Sequence, residues 1–134
     1  MTSRTDKEQF TAPVSAGELL DKITILRIKQ ERITLPEKWA NITAELEILE
    51  ACAAPLLSNT RLYKLIDELH SINETLWDIE DDIRDCERQK DFGEVFVRLA
   101  RNVYVTNDER ARVKREINVM CGSKLIEEKS YASY

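Results

Sequence analysis

The sequence predicts an all-α protein, and three observations carry that prediction. Three glycines and three prolines in 134 residues leave little of the turn punctuation that sheets require. Leu62, Leu65, Leu69, Ile72, Leu76, Ile79, Ile83 and Cys86 recur at alternating gaps of three and four residues. That rhythm holds one face of a long helix against a neighbour. Trp39, Ile42, Leu46, Leu49, Ala53 and Leu56 repeat it just upstream, and the break at Ser58-Asn59 predicts an antiparallel helical hairpin over about 36–57 and 60–88.

Residues 1–12 are polar and aperiodic and read as a flexible lead-in, with 13–134 forming one helical domain. Order begins at Val14-Ser15-Ala16-Gly17-Glu18-Leu19. There Ser15 is placed to cap a helix, Glu18 sits at capping-box spacing, and Val14 and Leu19 suit a hydrophobic staple. The first helix, about 15–33, carries Leu19, Ile23, Leu26 and Ile33 on one face and Ile25 and Ile28 on the other, so it should be sandwiched between neighbours. Thr34-Leu35-Pro36-Glu37 has the spacing of a second capping box, with Thr34 as the cap and proline in the first turn. Pro55 should bend or end the second helix. The long third helix, about 40 Å at 1.5 Å per residue, turns Asp78, Asp81, Asp82 and Asp85 outward. Two shorter helices should follow, about 92–104 after Asp91-Phe92-Gly93 and about 107–120 capped at Thr106-Asn107-Asp108 and stopped by Gly122. The tail, with Leu125 and Ile126 among charges, reads as a short docked segment.

Composition excludes several functions. A net charge of −5 argues against a nucleic-acid module. Within the chain, residues 62–91 hold ten acids and four bases, whereas 95–115 hold six bases and two acids, which predicts that the C-terminal helices dock near the acidic hairpin, within one chain or across a dimer. Cys52, Cys86 and Cys121 lack paired spacing, and with His70 as the single histidine they form no zinc, haem or dithiol motif. No cofactor or metal set is called for. An odd number of thiols suits a reducing cytoplasm, and no apolar run approaches a membrane span of about 20 residues.

The remaining polar constellations are few. Glu47-x-x-Glu50 and Asp78-x-x-Asp81 invite comparison with helical, metal-dependent nucleotide pyrophosphohydrolases, whose paired carboxylates hold magnesium. The long-helix periodicity, however, turns Asp78 and Asp81 away from the hairpin partner. Asn73, Trp77 and Glu80 flank the seam, and a tryptophan there needs either packing or a ligand. Asn107, Asp108 and Arg110 crowd one predicted helix start. His70 has no nucleophile near it in sequence, and there is no glycine-rich phosphate loop.

Four of these stretches, Val14–Leu26, Leu76–Asp81, Thr106–Asn118 and Glu127–Tyr131, together resemble a small bacterial family of all-helical proteins known as a domain of unknown function. The resemblance implies no reaction, cofactor or catalytic residue. It directs attention to Asp21, Lys22, Asn107, Asp108, Arg110, Glu127, Lys129 and Tyr131. If the tail folds over the first helix, Glu127 or Glu128 should meet Lys22, and Lys129 should meet Asp21.

The expectation is thus a non-catalytic cytoplasmic module that self-associates, as a dimer, or binds another protein, through surplus apolar surface on the first helix and beside the ladder. The alternative is an enzyme or binding protein for a small anionic ligand, a nucleotide or sugar phosphate, held by Lys22, Arg101 and Arg110 where the first helix, the fourth helix and the tail meet. A pyrophosphohydrolase is the third reading.

Overall fold

Ser15 opens the first helix as the sequence predicts: its hydroxyl accepts the Glu18 amide at 3.1 Å. In this computed structural model, which describes residues 9–134, the elements are α1 (Ala16–Arg32), α2 (Pro36–Cys52), the single turn α3 (Ala54–Leu57), a 3₁₀ turn (Thr60–Leu62), α4 (Tyr63–Gln89) and α5 (Glu94–Cys121). No strand occurs among the described residues. Residues 1–8 of the predicted lead-in lie outside the described residues, and 9–15 carry no regular structure.

Three expectations are corrected. The two short C-terminal helices are one helix of 28 residues. Neither glycine nor proline interrupts Glu94–Cys121, and Thr, Asn and Asp inside a helix cost only a few tenths of a kcal/mol each, so Thr106-Asn107-Asp108 continues the helix instead of capping a new one. The second helix starts from Leu35 with Pro36 in its first turn, and Thr34 makes no cap hydrogen bond. Finally, α2 lies mainly along α1, while α4 finds its most extensive partner in α5 and crosses α1 with another face. A 3-4 ladder specifies that a neighbour exists without specifying which helix it is.

Breaks fall where backbone chemistry demands them. Pro55, in the first turn of α3, has no N–H to continue the hydrogen-bond ladder of α2 and so separates the two helices. Asn59 accepts the Arg61 amide at 3.1 Å and starts the 3₁₀ turn. Lys90 and Gly122 terminate α4 and α5 in the left-handed conformation, with φ of 55° and 63°.

One hydrophobic core joins Leu20, Ile23 and Leu26 of α1, Ile42 and Leu46 of α2, Leu62, Ile66 and Leu69 at the start of α4, and Val113 and Ile117 of α5. The expectation of a sandwiched first helix holds, since α1 touches α2, α4 and α5. Trp39 stays outside this core, its indole N–H donating to the Gln30 carbonyl at 3.1 Å. Beyond the level of Trp77 and Asn107, the second half of α4 and the first half of α5 continue as a two-helix arm. Ile79 and Cys86 are buried there without joining the core, and Ile83, Phe96, Leu99 and Val103 remain half-buried.

Candidate functional site

The contact between α1 and the end of α5 is polar and unusually close. Gly17 has no side chain to hold the helices apart, and its amide donates to Asn118 Oδ1 at 2.7 Å. A Cβ at this position would overlap the Lys114 carbonyl oxygen and come within 2.9 Å of Asn118 Oδ1. From this point the two helices exchange polar rungs in antiparallel order: Gly17 with Asn118, Glu18 with Lys114, Asp21 with Arg110. Arg110, Lys114 and Asn118 recur every fourth residue, so one stripe of α5 supplies all three rungs.

The Asp21 rung is the most enclosed. Asp21 is 1% exposed, and Arg110 grips its carboxylate with two nitrogens, Nε at 2.9 Å from Oδ1 and Nη2 on Oδ2. Asn73 of α4 donates Nδ2 to Asp21 Oδ1 at 3.0 Å and to Thr24 Oγ1 at 2.9 Å, while Thr24 donates its own proton to the Asp21 carbonyl at 2.8 Å. A buried carboxylate is tolerated only with such compensation. The hydrogen bonds to Asp21 raise the Arg110 pKa further above its ordinary value, against the opposing effect of burial. The guanidinium is therefore permanently charged, and the Asp21 carboxylate that accepts from it and from Asn73 ties three helices at one point.

At the next rung the Lys114 ammonium donates to Glu18 at 2.8 Å and to Glu127 of the tail at 3.1 Å. Burial works to lower the Lys114 pKa, but the two carboxylates prevail and raise it. Glu127 moves the opposite way, held below the ordinary carboxylate range by the hydrogen bond from Lys114. Ser123 Oγ accepts the Ala16 amide at 3.2 Å, and Arg115 pairs with Glu128 at 2.9 Å, so the tail is docked on α5 and the start of α1. Its partners differ from those expected. Glu127 meets Lys114 and Glu128 meets Arg115, not Lys22; Asp21 is taken by Arg110, and Lys129 lies over the Tyr131 ring.

Two clefts flank this spine. A polar one of about 240 Å³ is bordered by Asn107, Arg110, Lys114 and Lys129 together with the acids Glu18 and Glu127. It lies at the junction where a basic pocket was expected, but the carboxylates neutralise its cations, and Lys22 and Arg101 both stand exposed outside it. The second, of about 460 Å³, has Ile25, Leu76 and Trp77 as its apolar lining and Asn73, Asn107, Arg110, Lys29, Glu80, Asp81 and Arg84 as its polar one. Arg32 covers the Trp77 ring with its guanidinium carbon 5.7 Å from the centroid. Asp108 and Tyr131 belong to a third hollow, where the Tyr134 hydroxyl donates to Asp108 at 2.7 Å and its ring meets Tyr104 edge-on.

The structure thus gathers Asp21, Asn73, Asn107 and Arg110 into one network, with Trp77 and Glu80 beside it and Glu127 and Lys129 at the neighbouring cleft. Thr24, Asn118 and Ser123 were not singled out from sequence, and Glu18 was read there only as half of a capping box. The visible signal was the four-residue spacing of Arg110, Lys114 and Asn118 beside the apolar Val113 and Ile117.

The acidic pairs do not converge. Glu50 binds Arg27 at 2.9 Å and shares a cleft with Glu47, Asp78 binds Arg32 at 2.6 Å, and Asp81 borders the Trp77 groove. Among the described residues no group of three or more His, Cys, Asp or Glu side chains is placed to hold a metal ion. No helix of the described residues is long and apolar enough to cross a membrane.

Residues 10–134 match the model of a family of unknown function, DUF6165, and the chain belongs to that family. No curated protein and no solved structure matches it.

Proposed function

We propose that this family member is a self-associating helical module, pairing with a second copy through the outward face of the first half of α5. One observation carries the reading: Val97, Ala100 and Tyr104 form a stripe with three- and four-residue gaps on the arm, with Val97 51% and Tyr104 44% exposed. Tyr134 of the tail meets one edge of Tyr104, and a stripe of that rhythm otherwise left open is suited to another helix. Ala100 at its centre permits close approach, and an antiparallel pairing about Ala100 sets Val97 of one copy opposite Tyr104 of the other. Arg98 and Arg101 on α5 and Asp81 and Asp82 on α4 make no ion pair among the described residues, so each copy has charges of both signs to offer the other. The three free thiols fit a module working in a reducing cytoplasm.

Light scattering on the purified chain at roughly 100 µM, a concentration that populates even micromolar dimers, should give twice the chain mass. The double variant Val97→Glu, Ala100→Glu should run as a monomer with unchanged helicity by circular dichroism. A monomeric native chain at that concentration would overturn the reading.

A further inference from the structure

The groove beside Trp77 contains a buried polar group that the fold leaves without a partner. Asn73 is 5% exposed, and its Nδ2 is turned inward to Asp21 and Thr24. That orientation is chemically required, because a carboxylate accepts and never donates. Asn73 borders the groove, so Oδ1 is the atom it has to offer there, and no donor among the described residues reaches it. A buried acceptor without a donor is costly and rare in folded proteins, and it calls for a donor from outside the chain. Across the groove Asn107 turns its Oδ1 to Arg110 at 3.5 Å, and its Nδ2 donors bond no acceptor among the described residues.

The groove therefore presents one free amide acceptor and one free amide donor above Ile25, Leu76 and Trp77. Its charges narrow the class of ligand. Arg84 is held by Glu80 and Arg110 by Asp21, while Lys29 and Asp81 make no ion pair among the described residues. Free charges of opposite sign on one rim give no net attraction for an anion. A peptide amide has one N–H and one C=O to match the two asparagines, and a large apolar side chain beside it would fill the lining against Trp77.

We infer that the groove binds a peptide segment of a partner protein. One backbone amide is read by Asn73 and Asn107, a large apolar side chain rests against Trp77 and Leu76, and an acidic and a basic neighbour lie toward Lys29 and Asp81. The rigidity of the Asp21–Asn73–Arg110 network supports this, since the acceptor is fixed before the ligand arrives and little ordering is lost on binding.

Acetyl-tryptophan amide and acetyl-leucine amide are suitable probes, each an uncharged molecule with two amides about one large side chain, with adenosine monophosphate as the anionic comparison. Titration of the isotope-labelled chain should move the side-chain amide signals of Asn73 and Asn107 saturably with the blocked amino acids, at millimolar affinity or tighter. Asn107→Ala, on the half-buried side of α5, retains the helix and should weaken binding about fivefold, the value of one hydrogen bond. Movement of these signals with the nucleotide alone would replace the peptide by an anionic ligand. Absence of saturation with every probe would overturn the inference outright. Neither result depends on the oligomeric state, which is read separately by mass.

Discussion

Along α4 and α5 the same two helices pass from an enclosed body into a bare arm, and the two regions bury their side chains by different means. In the body, Ile66 and Leu69 of α4 and Val113 and Ile117 of α5 share a core with α1 and α2, and the third side of α5 is sealed by polar rungs that Gly17 brings within hydrogen-bond distance. In the arm, a single apolar seam of Ile79, Ile83 and Cys86 against Phe96, Leu99 and Val103 has no further layer, and only Ile79 and Cys86 become buried. A helix pair by itself lacks the second layer on which domains ordinarily rest. The contrast teaches that the body has its own specificity, through directional contacts, whereas the arm has surface left to give to a partner.

The largest test of that contrast lies at the most enclosed rung. Asp21→Ala removes the carboxylate from between Arg110 and Asn73, leaving a partly buried guanidinium without its counter-charge and the inward-facing Asn73 amide with Thr24 alone. Breaking such a pair from one side costs about 3–5 kcal/mol, and loss of the shared hydrogen bonds acts in the same direction. Denaturant unfolding should show a collapse of the midpoint. A loss below about 1 kcal/mol, the value of a surface pair, would mean that the spine is ornamental and that the body, like the arm, is held by its apolar seam alone.

A smaller effect is expected where the arm is trimmed. Ile83→Ala deletes apolar volume from a half-buried position, so it should cost about 1 kcal/mol, well short of the roughly 2–5 kcal/mol of a fully buried isoleucine. Alanine's higher helix propensity offsets part of even that. Val97→Ala, on the face offered to a second copy, sharpens the comparison: if that copy covers the arm, the Val97→Ala penalty should grow with protein concentration in denaturant titrations, whereas that of Ile83→Ala should not. A concentration-independent penalty above about 2 kcal/mol for Ile83→Ala would show the arm to be as fully packed as the body.

Much of the fold was legible because helix starts, stops and stripes are local. The Ser15 cap, the break before Pro55, the Gly122 stop and the double-sided first helix all follow from spacing within one or two turns. What was hidden depends on which surfaces meet. The α4 ladder announces a neighbour but not that the neighbour is α5, and Thr106-Asn107-Asp108 has cap chemistry that is spent instead on Arg110 and Tyr134 within a continuous helix. In the candidate site, Asp21, Asn73, Trp77 and Arg110 stood out as unusual residues for their positions. Lys114 and Glu18 did not, because a charged residue on a helix is ordinarily solvated, and only the close approach at Gly17 turns those side chains toward each other. Lys22 was drawn in by the resemblance and its charge and Arg101 by charge alone, and their place on the exposed sides of α1 and α5 keeps them from either cleft.

The smallest effect concerns the boundary of the body, where the tail closes the second rung. The Glu127 carboxyl has a depressed pKa in the folded chain because Lys114 donates to it, so its contribution is complete above the ordinary carboxylate value of 4.5 and is lost as pH falls through the lowered one. Lys114 behaves in the mirror sense: its raised pKa makes its contribution complete below the ordinary 10.5 and lost only as pH climbs through the higher value. Between those limits the tail should stay docked. Lowering the pH from about 6 to about 3, across the carboxylate range, should shift the backbone amide signals of Ser123 through Glu128 and of Ala16, whose N–H donates to Ser123. The Phe96 and Leu99 signals in the arm should hold still, since the tail does not reach them. Glu127→Gln should mimic the acid state at neutral pH while leaving helicity intact. Tail signals that ignore both the acid and the substitution would assign docking to Ser123, Leu125 and Ile126 rather than to the Lys114 rung, and would move the edge of the body's polar spine back to Asp21.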